Sequence, residues 1–269
     1  RSAPDGEQGQ PVQPVQPDQQ EVRISVNQLQ VGYGSYVLMH DVTFDVHAGD
    51  IFFITGGSGC GKSTLMKHLI GLIPPAAGEI FIAGQNVSTA TGAKKAELIK
   101  TFGVMYQSGA LFGSLTLEEN VMLAMEEFTD LPAAARQLVA RMKLDLVGLE
   151  RFAGHFPSEV SGGMQKRAAI ARAMALDPAV LFLDEPSAGL DPVTSAGLDE
   201  LILNLNHNLG VTFVIVSHEL ASIYAVADRV IMLDSSKKGI LAEGSPTDLR
   251  DHDTDPGVHA FFHREARDT

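Results

Sequence analysis

Apolar residues in this chain fall into short blocks whose spacing shifts from strand-like to helix-like and back. Val22-Arg23-Ile24-Ser25-Val26 and Val42-Thr43-Phe44-Asp45-Val46 alternate apolar and polar positions, the period-2 pattern of strands with one exposed face. Ile51-Phe52-Phe53-Ile54 is uniformly apolar, which predicts a strand buried on both faces. Leu65 to Ile70 reads as a helix that Pro74-Pro75 is expected to stop, and Gly78 to Gly84 as a short strand between turns. From about Ser108 to Ala175 the pattern is helical, with runs at Leu117–Phe128, Ala133–Val147 and a third beginning near Ser161. Beyond it, short buried strands (Val180–Leu183, Val211–Val216, Val230–Leu233) alternate with helices (Ser195–Leu209, Glu219–Ala227). That alternation predicts an α/β fold with a mostly parallel core sheet, carrying an inserted helical block.

Composition narrows the class. Hydrophobic residues make up 45% of the 269, enough for a substantial core. The net charge of −13 argues against non-specific nucleic-acid binding, so no nucleic-acid partner is expected. The single cysteine, Cys60, allows no intrachain disulfide and fits a reducing compartment. No apolar run approaches the roughly 20 residues of a membrane-spanning helix, so at a membrane another chain is expected to do the spanning. Residues 1–20 are rich in Pro, Gln and Gly without apolar periodicity and are expected to be disordered.

The chemistry begins where the apolar strand ends. Gly56-Gly57-Ser58-Gly59-Cys60-Gly61-Lys62-Ser63-Thr64 sits between that strand and a helix, the context of a phosphate-binding P-loop. Glycines let backbone N–H groups curl around phosphate oxygens, and the helix N-terminus favours the same anion. Lys62 would reach the β- and γ-phosphates, Ser63 would ligate Mg²⁺, and the Cys60 thiol is read as packing. Val180–Leu183 runs into Asp184-Glu185: Asp184 would orient Mg²⁺ through its water shell, and Glu185 would polarise a water aimed at the γ-phosphate. Ser161-Gly162-Gly163-Met164-Gln165 opens an Ala-rich helix, and a serine N-cap with free glycine N–H groups makes a second anion site.

With two phosphate sites in one chain, the sequence from about Val22 to Leu249 resembles the ATP-binding subunit of ABC transporters. The resemblance implies a P-loop NTPase fold over residues 21–250, with an antiparallel β subdomain and a helical subdomain at about 108–175. It implies a head-to-tail dimer in which Ser161, Gly162 and Gly163 of one copy seal the ATP held by the other. Gln107, closing Val104-Met105-Tyr106-Gln107, would be the Q-loop glutamine near Mg²⁺ or the water. Ser187-Ala188-Gly189-Leu190-Asp191 would be the D-loop, and His218 the switch histidine on the γ-phosphate. Tyr33, with Tyr36 as the fallback, would stack on adenine. The signature departs from Leu-Ser-Gly-Gly-Gln, with Val160 and Met164 flanking an intact Ser-Gly-Gly core.

Within that family, Gln107 to Thr116, Ser161 to Arg167 and Glu185 to Pro192 look like the ATPase of Mla-type systems. This implies phospholipid movement between inner and outer membranes, with a permease, an MCE-domain lipid-binding protein and a small STAS-domain protein as partners. The expected location is the cytoplasmic face of the inner membrane, held peripherally by the permease. The alternative is the ATPase of an ABC importer for another solute. In the tail, 251–269, Phe261 and Phe262 would anchor a neighbouring subunit, or belong to a short helix docked on its own domain.

Overall fold

A computed structural model of the chain describes residues 21–265. The segment 1–20, read as disordered, lies outside the described residues, as do 266–269. The chain runs through β1 (Val22–Tyr33), β2 (Tyr36–His47), β3 (Ile51–Gly56), α1 (Lys62–Leu69), β4 (Glu79–Ile82), β5 (Gln85–Asn86), α2 (Gly92–Lys100) and β6 (Phe102–Met105). The helices α3 (Leu117–Phe128), α4 (Ala133–Leu146) and α5 (Gly162–Ala173) follow. Then come β7 (Val180–Asp184), α6 (Pro192–Leu209), β8 (Thr212–Val216), α7 (Leu220–Val226), β9 (Arg229–Asp234), β10 (Gly239–Gly244), α8 (Pro246–Asp251) and α9 (Pro256–His263).

Two sheets result. One is antiparallel, in the order β2-β1-β4-β5; the other has the order β10-β9-β3-β8-β7-β6, parallel throughout except for the edge hairpin β9–β10. The uniformly apolar strands follow from this topology, because each central strand divides its side chains between two cores. Ile51, Phe53, Leu181, Leu183, Phe213 and Ile215 pack with α3 to α7. Phe52, Ile54, Val180, Phe182, Val214 and Val216 face the other way, onto α1 and the antiparallel sheet. Phe182 and Phe213 are fully buried, and truncating either ring to Ala would cost about 3–5 kcal/mol.

Parallel strands also align their C-terminal ends along one edge, where ligands of such sheets bind. On that edge β3 opens into the glycine-rich loop, β7 ends in Asp184, β8 leads to His218 and β6 leads to Gln107. The sequence pattern misplaced one boundary here. α1 ends at Leu69, and Gly71 turns the chain at φ +70°, so the helix is finished before Pro74-Pro75 are reached.

Candidate active site

The glycine-rich loop is shaped by contacts that admit no side chain. At Gly56, φ is +139° and a Cβ would lie 2.3 Å from the Leu233 carbonyl oxygen. Gly59 and Gly61 also sit at positive φ, +76° and +103°, and such turns present backbone N–H groups to an anion. Lys62 folds back over the loop, its Nζ donating to the carbonyls of Gly56 (2.9 Å) and Gly57 (3.1 Å). Cys60 is buried, and burial pushes its thiol up, so the packing role read for it is the geometry found. A cavity of about 610 Å³ opens over the loop, and Gln107, Glu185 and His218 border it.

The acid pair closes the other side. Asp184 Oδ1 accepts from Ser63 Oγ at 3.4 Å, which joins the loop to β7. Burial pushes the Asp184 carboxyl up, the Glu185 charge beside it pushes further, and the Ser63 hydroxyl opposes both. A hydroxyl and a carboxylate oxygen side by side, at an anionic spot, are the hard donors Mg²⁺ takes. Glu185 occupies the left-handed region at φ +47°, a conformation costing on the order of 1 kcal/mol. Its N–H donates to the Val216 carbonyl at 2.8 Å, and its Oε1 stands 2.8 Å from His218 Nδ1. The strained turn therefore places carboxylate and imidazole together at the cavity.

The remaining predicted residues divide into those the fold brings to this cavity and those it does not. Gln107 borders it, and also a neighbouring cavity of about 570 Å³ shared with Asp184, Ala188 and Gly189. Tyr33 ends β1 opposite Tyr36, half exposed, with its hydroxyl 3.3 Å from Thr64 Oγ1. Ser161 caps α5, its Oγ accepting from the Met164 N–H at 3.3 Å. A Cβ on Gly163 would lie 2.4 Å from Thr194 Cγ2, so α5 starts pressed against α6. Ser161, Gly162 and Gly163 are not among the residues lining the cavity of their own loop. Asp191 turns its carboxylate onto its own helix, accepting from the N–H groups of Val193 and Thr194, both at 3.1 Å.

Two residues reach the site that the sequence did not place there. Phe261, read either as a subunit anchor or as part of a short helix docked on its own domain, borders the phosphate cavity, while Phe262 is buried on its own domain against Tyr224, whose hydroxyl donates to the Phe262 carbonyl at 3.0 Å. Lys166 lies buried on α5, its Nζ donating to the Gln107 carbonyl. Burial pushes its pKa down, and the charges of Asp184 and Glu185 oppose that shift. Another cavity, of about 810 Å³, lies elsewhere, between the β9–β10 turn and α9. Its charged lining is mainly acidic, with Asp234, Asp253, Asp255 and Glu265 against Lys237, and it contains no glycine-rich phosphate loop.

Behind the site, α6 and α7 exchange hydroxyl–carboxylate bonds. Ser195 Oγ donates to Glu219 at 3.2 Å, and Ser222 Oγ donates to Asp199 at 2.8 Å. Burial first, then Glu219, pushes the Asp199 carboxyl up to about 6, against the Ser222 hydroxyl. Its folded pKa is thus above the unfolded value, so it contributes stability that is present below about pH 4 and lost as pH rises to about 6. Asp199→Asn keeps an acceptor for Ser222 without the charge. It is expected to melt higher than the wild type at pH 7, by roughly 2–4 °C after allowance for solvent screening. Melting curves between pH 7 and pH 4 should show the gap narrowing; a constant gap would mean that Asp199 does not titrate in this window.

Residues 39–188 match the model of the ABC transporter family. The chain belongs to that family. It is 39% identical over 229 residues to the intermembrane phospholipid transport system ATP-binding protein MlaF of Escherichia coli strain K12, covering 85% of this chain and 84% of that protein. It is 41% identical over 212 residues to the probable ribonucleotide transport ATP-binding protein mkl of Mycobacterium leprae, covering 79% of this chain. The chain spans 59 to 61% of the length of the mycobacterial relatives it matches. Among solved structures, the dimeric ATP-binding cassette MJ0796, in a post-hydrolysis state bound to ADP and Pi, superposes with a TM-score of 0.73 at 28% identity. That likeness covers 82% of this chain and 98% of the cassette. The ABC cassette has the same pairing of a parallel core sheet and an antiparallel subdomain. Among the described residues, no helix is long and apolar enough to cross a membrane.

Proposed function

We propose that this ABC subunit binds and hydrolyses ATP to drive a transporter that moves phospholipids between the inner and outer membranes. The observation that carries the hydrolytic part is the Glu185–His218 pair, 2.8 Å apart at the rim of the cavity over the glycine-rich loop. The loop N–H groups and Lys62 would hold the phosphates, exchanging the carbonyls that now receive Nζ for phosphate oxygens. Ser63 and Asp184, with Gln107 beside them, would hold Mg²⁺, which supplies charge neutralisation on the phosphates. Glu185 orients and deprotonates the attacking water. His218, its Nδ1 paired with Glu185, would present its ring to the γ-phosphate. Tyr33 gives adenine a stacking face.

Neither Ser161 nor Gly162 lines that cavity, so the second anion site needs a second phosphate loop. A head-to-tail pair of copies supplies it, each sealing the other's ATP, and the pair works on a permease at the cytoplasmic face of the inner membrane. The lipid assignment is supported by MlaF and extends to an MCE-domain protein and a small STAS-domain protein as partners. The name carried by mkl favours a second reading, the ATPase of an importer for another solute.

Affinity purification of the tagged chain from its native membranes, followed by ATPase assay, tests both parts. The expected result is recovery with a permease and an MCE-domain protein, with ATPase activity in the complex. Recovery with a different permease and a solute-binding protein would leave the ATPase and remove the lipid assignment.

A further inference from the structure

After β6 the chain passes along α5, and the carbonyls of Gln107, Gly109 and Ala110 all receive side-chain donors of that helix. A Cβ on Gly103 would lie 2.0 Å from the Ala173 carbonyl oxygen, and one on Gly109 would touch Ala169 Cβ at 3.6 Å. Gly109 and Ala110 both adopt left-handed φ, +72° and +48°. For Ala110 that conformation is unfavourable and persists only where its surroundings impose it. The surroundings are two cations of α5. Arg172 donates from Nη2 to the Gly109 carbonyl (2.9 Å) and from Nη1 to the Ala110 carbonyl (2.6 Å), and Lys166 donates from Nζ to the Gln107 carbonyl.

Both cations are unfavourable where they stand. Lys166 is buried and Arg172 half-buried, and burial pushes the pKa of each below its ordinary value. Their donors go to carbonyls of this one loop. A buried charge directed at main-chain acceptors fixes geometry, and removing it leaves those carbonyls without their partner. The same helix begins at Ser161-Gly162-Gly163, about 7 Å along its axis from Lys166.

We propose that Lys166 and Arg172 are positioning residues that strap the Gln107 loop to α5, so that the helix bearing the second anion site sets where Gln107 stands at the first. The assignment rests on the reading in which Gln107 acts at the phosphate cavity. A phosphate drawn to Ser161 of one copy would then be felt through one rigid helix at that copy's own Gln107, linking the two sites without any contact between them.

A double-mutant cycle on the full chain, assembled with its permease, tests the strap. Lys166→Met is expected to lower kcat for ATP on the order of tenfold with KM within about twofold, because nucleotide still binds while Gln107 is misplaced. Lys166→Arg should recover most of the rate, and Arg172→Lys, which keeps charge but cannot reach both carbonyls, should fall between. Gln107→Ala alone should slow turnover, and adding Lys166→Met to it should cost nothing more. Losses that multiply, or Lys166→Met at the wild-type rate, would overturn the strap while leaving the role of Gln107 intact. Gln107→Ala at the wild-type rate would remove the site reading, and the strap with it. If Lys166→Met does not fold, Arg172→Lys with and without Gln107→Ala replaces it in the cycle: no added loss supports the strap, and multiplied losses overturn it.

Discussion

Glu185→Gln is expected to slow ATP hydrolysis by on the order of 10²–10³-fold while leaving ATP binding intact. The substitution preserves volume, and the amide oxygen can still accept from His218 Nδ1 at the 2.8 Å seen for the carboxylate. What it loses is the ability to take a proton from water. Binding is spared because the phosphates are held by the loop and Lys62. The fold is spared too, since the variant relieves a like-charge contact: the Glu185 charge is one of the causes pushing the Asp184 carboxyl up. Asp184 in the variant should therefore ionise more readily, favouring metal capture. The outcome is a nucleotide-loaded, closed dimer that does not turn over. Single-turnover hydrolysis, with size-exclusion chromatography in ATP, reads both halves. Turnover at the wild-type rate would exclude Glu185 as the base.

The parts of the fold that were legible in the sequence are those where local chemistry and tertiary position agree. Ile51–Ile54, Val180–Leu183 and Val211–Val216 read as buried strands because each serves two cores and has no polar face to disguise it. Ser161 announces a helix start through a side chain that does cap α5, whereas α6, read from Ser195, begins at Pro192 behind the Asp191 cap. Other elements are set by context. α2 begins at Gly92 without a capping side chain and buries only Leu98, so it has no periodic face to read. β5 is two residues long and exists because β4 is beside it. β10 is an edge strand with mixed exposure, made by its hairpin with β9. β1 is longer than its alternating stretch because bulges, with Gln28 at φ +46°, let it change register and continue to Tyr33.

At the site the division is similar. Loop, acids and histidine follow apolar strands directly, so their motifs carry their own context. The Lys166 and Arg172 contacts join positions about sixty residues apart in the chain through main-chain carbonyls, which have no sequence identity to read. Phe261 reaches the cavity only because β10, α8 and α9 fold the tail back to the edge where β3 ends.

A mixture of two inactive variants is expected to regain activity. Lys62→Ala removes the ammonium that bridges the loop carbonyls and would meet the phosphates. Ser161→Asp keeps an N-cap acceptor for the Met164 N–H, so α5 still starts where it does, but sets a carboxylate at the second anion site. Each variant alone has no complete site if ATP lies between copies, and each should lose most of its ATPase activity. In a mixed pair, the Lys62 and loop of the Ser161→Asp copy face the intact Ser161 of the Lys62→Ala copy, restoring one site of two. Random pairing makes half the dimers mixed, so an equimolar mixture should recover up to about a quarter of wild-type activity if the sites act independently. Sites that must fire together would lower that figure without abolishing it. Were ATP held by the loop and signature of one copy, no pairing could restore a site, and the mixture would stay as inactive as its parts. The position of Ser161, away from the cavity of its own loop, predicts rescue.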